Sequence, residues 1–331
     1  MAAAWEITVL YFVYCVRARG AFYLEIIGMP AKIAQFILVL TLSPFLFGVL
    51  NRTKAFFAGR KGSPLLQLYY DIFKLLRKGA VYSTTTTWVF IAGPVVSLSA
   101  VITASFLIPW AGHPAVIQFD GDIILFIYLL GLARFFTVLA ALDTGSSFEG
   151  MGASREMQFA LFAEPALFLS LASLARVTGQ MSFSGIFSTG VINFWPVYGP
   201  VFFLVFGAVF IVFLAENSRI PVDDPNTHLE LTMIHEVMVL DHGGVDFAYI
   251  LYGAAVKFWL LGTLLAGMFL GASSRGWMMD SAVFILQMSV LAVIVGVVES
   301  TLARLRLLKV PHFLIIALAL SAVAFILTMR S

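Results

Sequence analysis

The chain has 331 residues, of which 61% are hydrophobic and only 11% charged, with a net charge of +2. Globular domains are roughly 45–50% apolar and about 25% charged, so this composition excludes a soluble fold and requires an integral membrane protein. The small net charge argues against a nucleic-acid partner. The single cysteine, Cys15, excludes a cysteine-bound cluster, a CxxC redox pair and an internal disulfide on this chain.

In chain order, residues 1–28 come first and fit a span poorly. Ile7 to Val16 is apolar but short, and Arg17, Arg19 and Glu25 follow it. A signal peptide would place its positive charge before the apolar run. Met29-Pro30 directly precedes the first good span, so residues 1–28 read as an N-terminal extension, or Met29 as the real start, and residues 29–331 as the membrane domain. Apolar runs long enough to cross a bilayer, about 18 residues or more, then follow at Ile33–Leu50, Trp88–Trp110, Ile123–Leu142, Met157–Val177, Trp195–Ala215, Phe247–Leu270, Ala282–Val298 and Phe313–Met329. These predict an all-α membrane protein of eight spans. No strand-like alternation appears, which argues against a membrane β-barrel.

Orientation follows from Lys and Arg in the short loops. The loops after spans one, three, five and seven hold seven, one, one and three of them, whereas the loops after spans two, four and six hold only Arg275. The odd-numbered loops are therefore predicted to be cytoplasmic, with both termini on the opposite side of the cell (inner) membrane. Residues 51–87 carry Arg52, Lys54, Arg60, Lys61, Lys74, Arg77 and Lys78 against Asp71 alone. Leu65 to Leu76 has helical apolar spacing with a polar opposite face, as in an amphipathic helix lying in the headgroup layer. Residues 216–246 are the reverse: Glu216, Asp223, Asp224, Glu230, Glu236, Asp241 and Asp246 stand against Arg219 alone. Asp223 to Thr227 reads as a turn, and Thr227 with Glu230 as a capping box, for a helix running to about Leu240. That helix is either a plain amphipathic surface element or a docking element for a partner.

Ionisable residues inside spans are costly and usually functional. Arg134 sits in the middle of span three, Glu164 precedes Pro165 in span four, Lys257 lies inside span six, Glu216 closes span five and Glu299 ends span seven. Glu156 and Glu164, eight residues apart, lie roughly 80° apart around a helix and can face one cavity. Together these residues suggest a buried acid–base path approached from the cytoplasmic side. An ion pair that merely locks two helices together would use the same residues. His228, His235 and His242 recur every seven residues with carboxylates beside them, which raises a metal site. The zincin spacing is absent, no cysteine assists, and Gly243-Gly244 leaves His242 at a helix end, so no metal is assigned.

The run AENSRIPVDDPNTHLELTMIHEVMVLDHGG, residues 215–244, resembles the signature loop of the complex I subunit 1 superfamily. It is most like the membrane subunit of group 4 membrane-bound nickel–iron hydrogenases and formate hydrogenlyase. The quinone-reductase branch reads as an AETNRxPFDLPE pattern here, and Ile220 to Pro225 followed by Thr227 to Thr232 departs from it. Residues 59–79 are similar to the family's first cytoplasmic loop. Residues 150–167 are similar to its third-to-fourth span connection, with Arg155, Glu156, Glu164 and Pro165 in place. Leu68 stands where a proline is usual, and Gly79 where an acid is usual, which removes one candidate relay carboxylate.

The resemblance implies a non-catalytic anchor and ion-coupling subunit between a peripheral electron-transfer arm and ion-pumping membrane subunits. Iron–sulfur clusters and the nickel–iron centre would lie in the small and large partner subunits. Antiporter-like subunits would be neighbours in the lipid, and this chain would hold no cofactor. Under the alternative, the quinone-site subunit of an NADH-quinone oxidoreductase-like complex, quinone would enter a cavity below the arm. Glu156, Glu164, Glu216 and Glu230 match the acids of the family's channel, which with Arg134 and Lys257 gives the expected proton or sodium path. Arg60, Lys61, Asp71, Arg155, Arg219, Asp223, Asp224, His228, His235 and Glu236 are the residues expected in the docking loops.

Overall fold

A computed structural model of the chain describes residues 32–188, 190–223, 234–269 and 276–330. The expectations for residues 1–28, and those for Asp224, His228 and Glu230, lie outside the described residues. Ten α-helices follow in order: α1 (Lys32–Phe57), α2 (Gln67–Leu76), α3 (Trp88–Ser105), α4 (Asp122–Asp143), α5 (Ser147–Thr178), α6 (Phe183–Ser188), α7 (Trp195–Glu216), α8 (Gly244–Gly267), α9 (Trp277–Thr301) and α10 (Val310–Arg330). Among the described residues all but α2 and α6 are long and apolar enough to cross a membrane, eight candidate spans in all, as in a multi-pass membrane protein. Among the described residues no strand forms beyond an isolated bridge between Trp110 and His113.

Several boundaries differ from the apolar runs, and two of them are informative. Span two was expected to reach Trp110, but α3 stops at Ser105 and the chain turns. Span four was expected from Met157, whereas α5 begins at Ser147 and runs for 32 residues. At 1.5 Å per residue that is about 48 Å, well beyond a hydrocarbon core of about 30 Å. The first turns of α5 are built of small and polar residues, of which Glu149, Gly152, Ala153 and Glu156 are buried. A search for apolar runs misses them for that reason. Arg155 and Glu156 therefore sit on a rigid helix and not in a loop. The helix expected over 227–240 is described only from residue 234, where the chain forms a 3-10 turn, Glu236–Val239.

Helices in a bilayer gain little from the hydrophobic effect against one another, so close packing and polar bonds hold them. The centre of the bundle is α8, whose Phe258, Trp259, Leu260, Leu261 and Leu264 are buried. It packs against α2, α3, α7 and α9. The helices α3 and α4 meet where side chains are small: a Cβ added at Gly93 would lie 2.6 Å from the Ala140 Cβ. In α1, Pro44 has no N–H to offer the Leu40 carbonyl. The Tyr252 hydroxyl of α8 donates to that carbonyl instead, at 2.9 Å, and the Tyr69 hydroxyl of α2 donates to the adjacent Thr41 carbonyl. This stretch of α1 is thus tied to both neighbours. The exposed side of α2 carries Tyr70, Phe73 and Leu76, the apolar face expected of an interfacial helix.

Candidate functional site

The site gathers around Arg134, halfway along α4 and buried. Its guanidinium presents a planar fork of donors, which suits several carboxylates at once. Nε donates to Glu156 Oε1 of α5 at 3.0 Å. Nη1 donates to Glu164 Oε1, two turns further along the same helix, and Nη2 donates to Glu216 Oε1 at the end of α7. The other oxygen of Glu216 pairs with Lys257 Nζ of α8 at 3.0 Å. Four spans therefore contribute to one ion cluster, in which three carboxylates face two cations and leave one surplus negative charge. An isolated ion taken from water into such a site costs several kcal/mol. The network offsets that cost only because almost every charge has a bonded opposite.

Burial within the cluster is uneven. The side chains of Arg134, Glu156 and Glu216 are nearly inaccessible, while that of Glu164 is 45% exposed. On the other flank, His235 Nδ1 lies 3.3 Å from Glu156 Oε2, with 30% of the His235 side chain exposed. A narrow cleft, partly open to the outside, is lined there by Glu156, Phe159, Glu216, Asp223, Ile234 and His235.

The loop after α7 is shaped to put His235 on that cleft. The chain leaves α7 through Ser218, which takes a left-handed φ of 52°, and the Arg219 N–H folds back onto the Leu214 carbonyl at 2.8 Å. Asp223 Oδ2 then accepts from the N–H groups of Ile234 and His235 at 3.2 and 3.1 Å, while its Oδ1 accepts from Arg304 Nη2 at 2.9 Å. At the far end of the segment, buried Glu149 of α5 accepts from the Asp241 N–H at 3.2 Å. Gly152 allows the segment to lie on α5, since a Cβ there would sit 2.3 Å from Val237 Cγ1 and 2.9 Å from the Ile234 carbonyl oxygen.

A second ion group braces the same end of the molecule. The side chain of Glu299, fully buried at the end of α9, pairs with Lys54 of α1 at 2.7 Å and with Arg219 at 3.5 Å. The Arg219 guanidinium also lies over the Phe47 ring, 4.4 Å from its centroid, where the face of the π-system attracts a cation.

Of the residues expected on the ion path, Arg134, Glu156, Glu164, Glu216 and Lys257 come together. Of those expected in docking loops, Arg60 and Lys61 are exposed, and Asp71, Arg155 and Glu236 are half-buried. The Asp71 carboxylate accepts from the Gln67 side chain of the same helix at 2.9 Å. Arg219 and Asp223 are buried, so their side chains hold the loop rather than offer it. His235 and His242 do not share a face: His235 meets Glu156, and His242 stacks on Phe90 with ring centroids 3.9 Å apart. The seven-residue spacing presumed a continuous helix that residues 234–242 do not form. Among the described residues no group of three or more His, Cys, Asp or Glu side chains is arranged to hold a metal. Lys54, Arg304 and Glu149 were missed as partners, because nothing local in the sequence marks their pairing.

Among the described residues, eight helices apolar enough to cross a membrane carry a buried cluster of ions between them, as an integral membrane protein does. The family profile described as NADH dehydrogenase matches residues 31–329, and the chain belongs to that family. It is 30% identical over 300 residues to hydrogenase-4 component C of Escherichia coli, covering 89% of this chain and 94% of that protein. It is 28% identical over 300 residues to formate hydrogenlyase subunit 4 of the same organism, covering 88% and 96%. It is 26% identical over 300 residues to an NADH-quinone oxidoreductase subunit of Geobacter metallireducens, covering 85% and 89%. The fold is shared with a chain of the membrane-bound sulfane sulfur reductase, an archaeal respiratory membrane complex, at a TM-score of 0.78 and 20% identity over 91% of this chain and 99% of that one.

Proposed function

We propose that this chain is the membrane-anchor and ion-coupling subunit of a respiratory nickel–iron hydrogenase complex of the formate hydrogenlyase kind. It joins electron transfer in a peripheral arm to movement of protons or sodium ions across the membrane. The observation that carries this reading is the five-residue cluster of Arg134, Glu156, Glu164, Glu216 and Lys257. A buried carboxylate changes its proton affinity strongly when nearby charge changes, so a cluster with one surplus negative charge can take up and release an ion as the charge beside it alters. The relatives named for hydrogenase-4 and formate hydrogenlyase, together with the 215–244 loop, favour the hydrogenase branch.

Sidedness and partners belong to the same reading. Loops 51–87 and 216–246 face the cytoplasm, where Arg60, Lys61, Arg155 and Glu236, with Asp224 and His228, meet the small and large subunits. Iron–sulfur and nickel–iron centres lie in those partners. Glu164 supports a neighbour within the bilayer. A half-exposed carboxylate at mid-span is untenable against lipid tails, so this side is covered by another membrane subunit of the antiporter type or by a water path to it.

A second reading, a quinone-site subunit of an NADH-quinone oxidoreductase-like complex, is favoured by the similarity to the NADH-quinone oxidoreductase subunit of Geobacter metallireducens. Purifying the assembly through a tag on this chain, and identifying its subunits, tests both. The first reading expects a large subunit with nickel-binding cysteines and hydrogen-linked turnover that needs no quinone. A large subunit lacking those cysteines, with quinone-dependent turnover, would contradict it.

A further inference from the structure

We infer that His235 passes protons between the cleft and the buried cluster, through the contact of its Nδ1 with Glu156 Oε2. The inference rests on the ion-path reading above and adds to it the point of exchange. Glu156 and Glu216 are both almost inaccessible, and Arg134 covers one oxygen of each. The second oxygen of Glu216 is occupied by Lys257. The second oxygen of Glu156 faces His235 at 3.3 Å, and of these two side chains on the cleft wall His235 is the more exposed, 30% against 8%. Imidazole both binds and releases a proton near neutral pH, and it does so at two separate nitrogens.

The step balances simply. A proton from cleft water adds to the imidazole, the Nδ1 proton leaves to Glu156 Oε2, and the neutral ring regains its starting tautomer by exchange with water. The arriving proton neutralises the surplus negative charge of the cluster, so no uncompensated charge is created inside the bilayer. The charged groups facing the ring are Glu156 and Glu216 across the cleft, while Asp223 holds the ring's own backbone N–H.

The placement of His235 also fits a transfer role. A proton-transfer group has to be held within hydrogen-bond reach of its partner, directly or through one water. The segment carrying His235 is fixed by acid side chains at both ends, Asp223 at residues 234–235 and Glu149 at residue 241, and it lies against Gly152 of α5. Neither Asp223 nor Glu149 is assigned a proton to carry; both position the histidine.

The test uses the intact complex in sealed vesicles, reading redox turnover, subunit content and ion transport together. His235→Ala is expected to lower transport about tenfold or more, in line with a positioned proton-transfer group. Added imidazole is expected to restore part of that transport. Glu216→Gln is expected to lower transport with no response to imidazole. Full transport in His235→Ala alongside loss in Glu216→Gln would overturn the role of His235 and leave the ion path standing. Full transport in both would overturn the path itself. Loss in His235→Ala that imidazole does not relieve would also overturn the transfer role, since a purely positional part predicts that result. Should His235→Ala fail to assemble, His235→Gln keeps a side chain of similar reach with no titratable ring, and normal transport in that variant would overturn the inference.

Discussion

Single residues carry the largest energies in this molecule because so few are charged. Arg134 bonds three carboxylates at once. Removing it leaves buried negative charges facing only Lys257, and breaking a buried ion pair from one side costs about 3–5 kcal/mol. Arg134→Met is therefore expected to lower the thermal stability of the protein sharply in detergent, whereas Arg134→Lys, which cannot serve three partners in one plane, falls between. A melting temperature for Arg134→Met equal to that of the parent would contradict the assigned bonds. His242 gives a prediction of opposite character. Burial against Phe90 pushes its pKa from the ordinary 6.5 down to about 4. Above pH 6.5 the ring is neutral whether folded or unfolded, and its contribution is intact. As pH falls from 6.5 toward 4, the unfolded chain takes up a proton that the folded chain refuses, so stability declines across that window and levels off below it. His242→Phe is expected to flatten this part of the stability–pH curve, measured by thermal unfolding at stepped pH, while leaving the neutral end little changed.

At the scale of elements, the informative case is the contact between α5 and residues 234–241. Gly152 is the point of closest approach, where a Cβ would overlap Val237. Gly152→Val is expected to push the segment away from α5, at a cost of about 1–3 kcal/mol for overpacking. It should also weaken ion transport although no ionisable group is changed. Normal transport in that variant would show that the segment's placement does not matter.

The same elements show what a reader of the sequence can and cannot see. The eight spans were legible because a bilayer demands about 20 apolar residues for each helix, and no other local cause produces such runs. The cluster residues Arg134, Glu164 and Lys257 were legible as charges standing inside apolar runs. The first turns of α5 were not, because the small and polar residues that pack there against residues 234–241 leave no apolar signature. The pairing of Asp223 with Arg304, 81 positions apart, and of Glu299 with Lys54, arises from tertiary packing alone. The burial of Arg219 and Asp223 was hidden for a related reason. A polar loop looks exposed in sequence until the ends of α1 and α9 are known to close over it.

For the whole molecule, the charge is divided by place. One ion group lies within the bundle around Arg134, another braces the ends of α1, α7 and α9 around Glu299 and Asp223, and a fixed loop segment joins them at His235. The bracing group holds the loop steady, and the inner group faces a cleft and, through the half-exposed Glu164, the surface of this chain. On the proposed reading, Glu164 is the residue whose loss would separate transport from assembly. It touches Arg134, yet it is half-exposed, and Glu156 and Glu216 still hold the guanidinium without it. The most direct measurement is redox-driven ion transport per turnover by the complex carrying Glu164→Gln, reconstituted in sealed vesicles. The account predicts an assembled complex that turns over with little or no ion transport. Transport equal to that of the parent complex at the same turnover would contradict it.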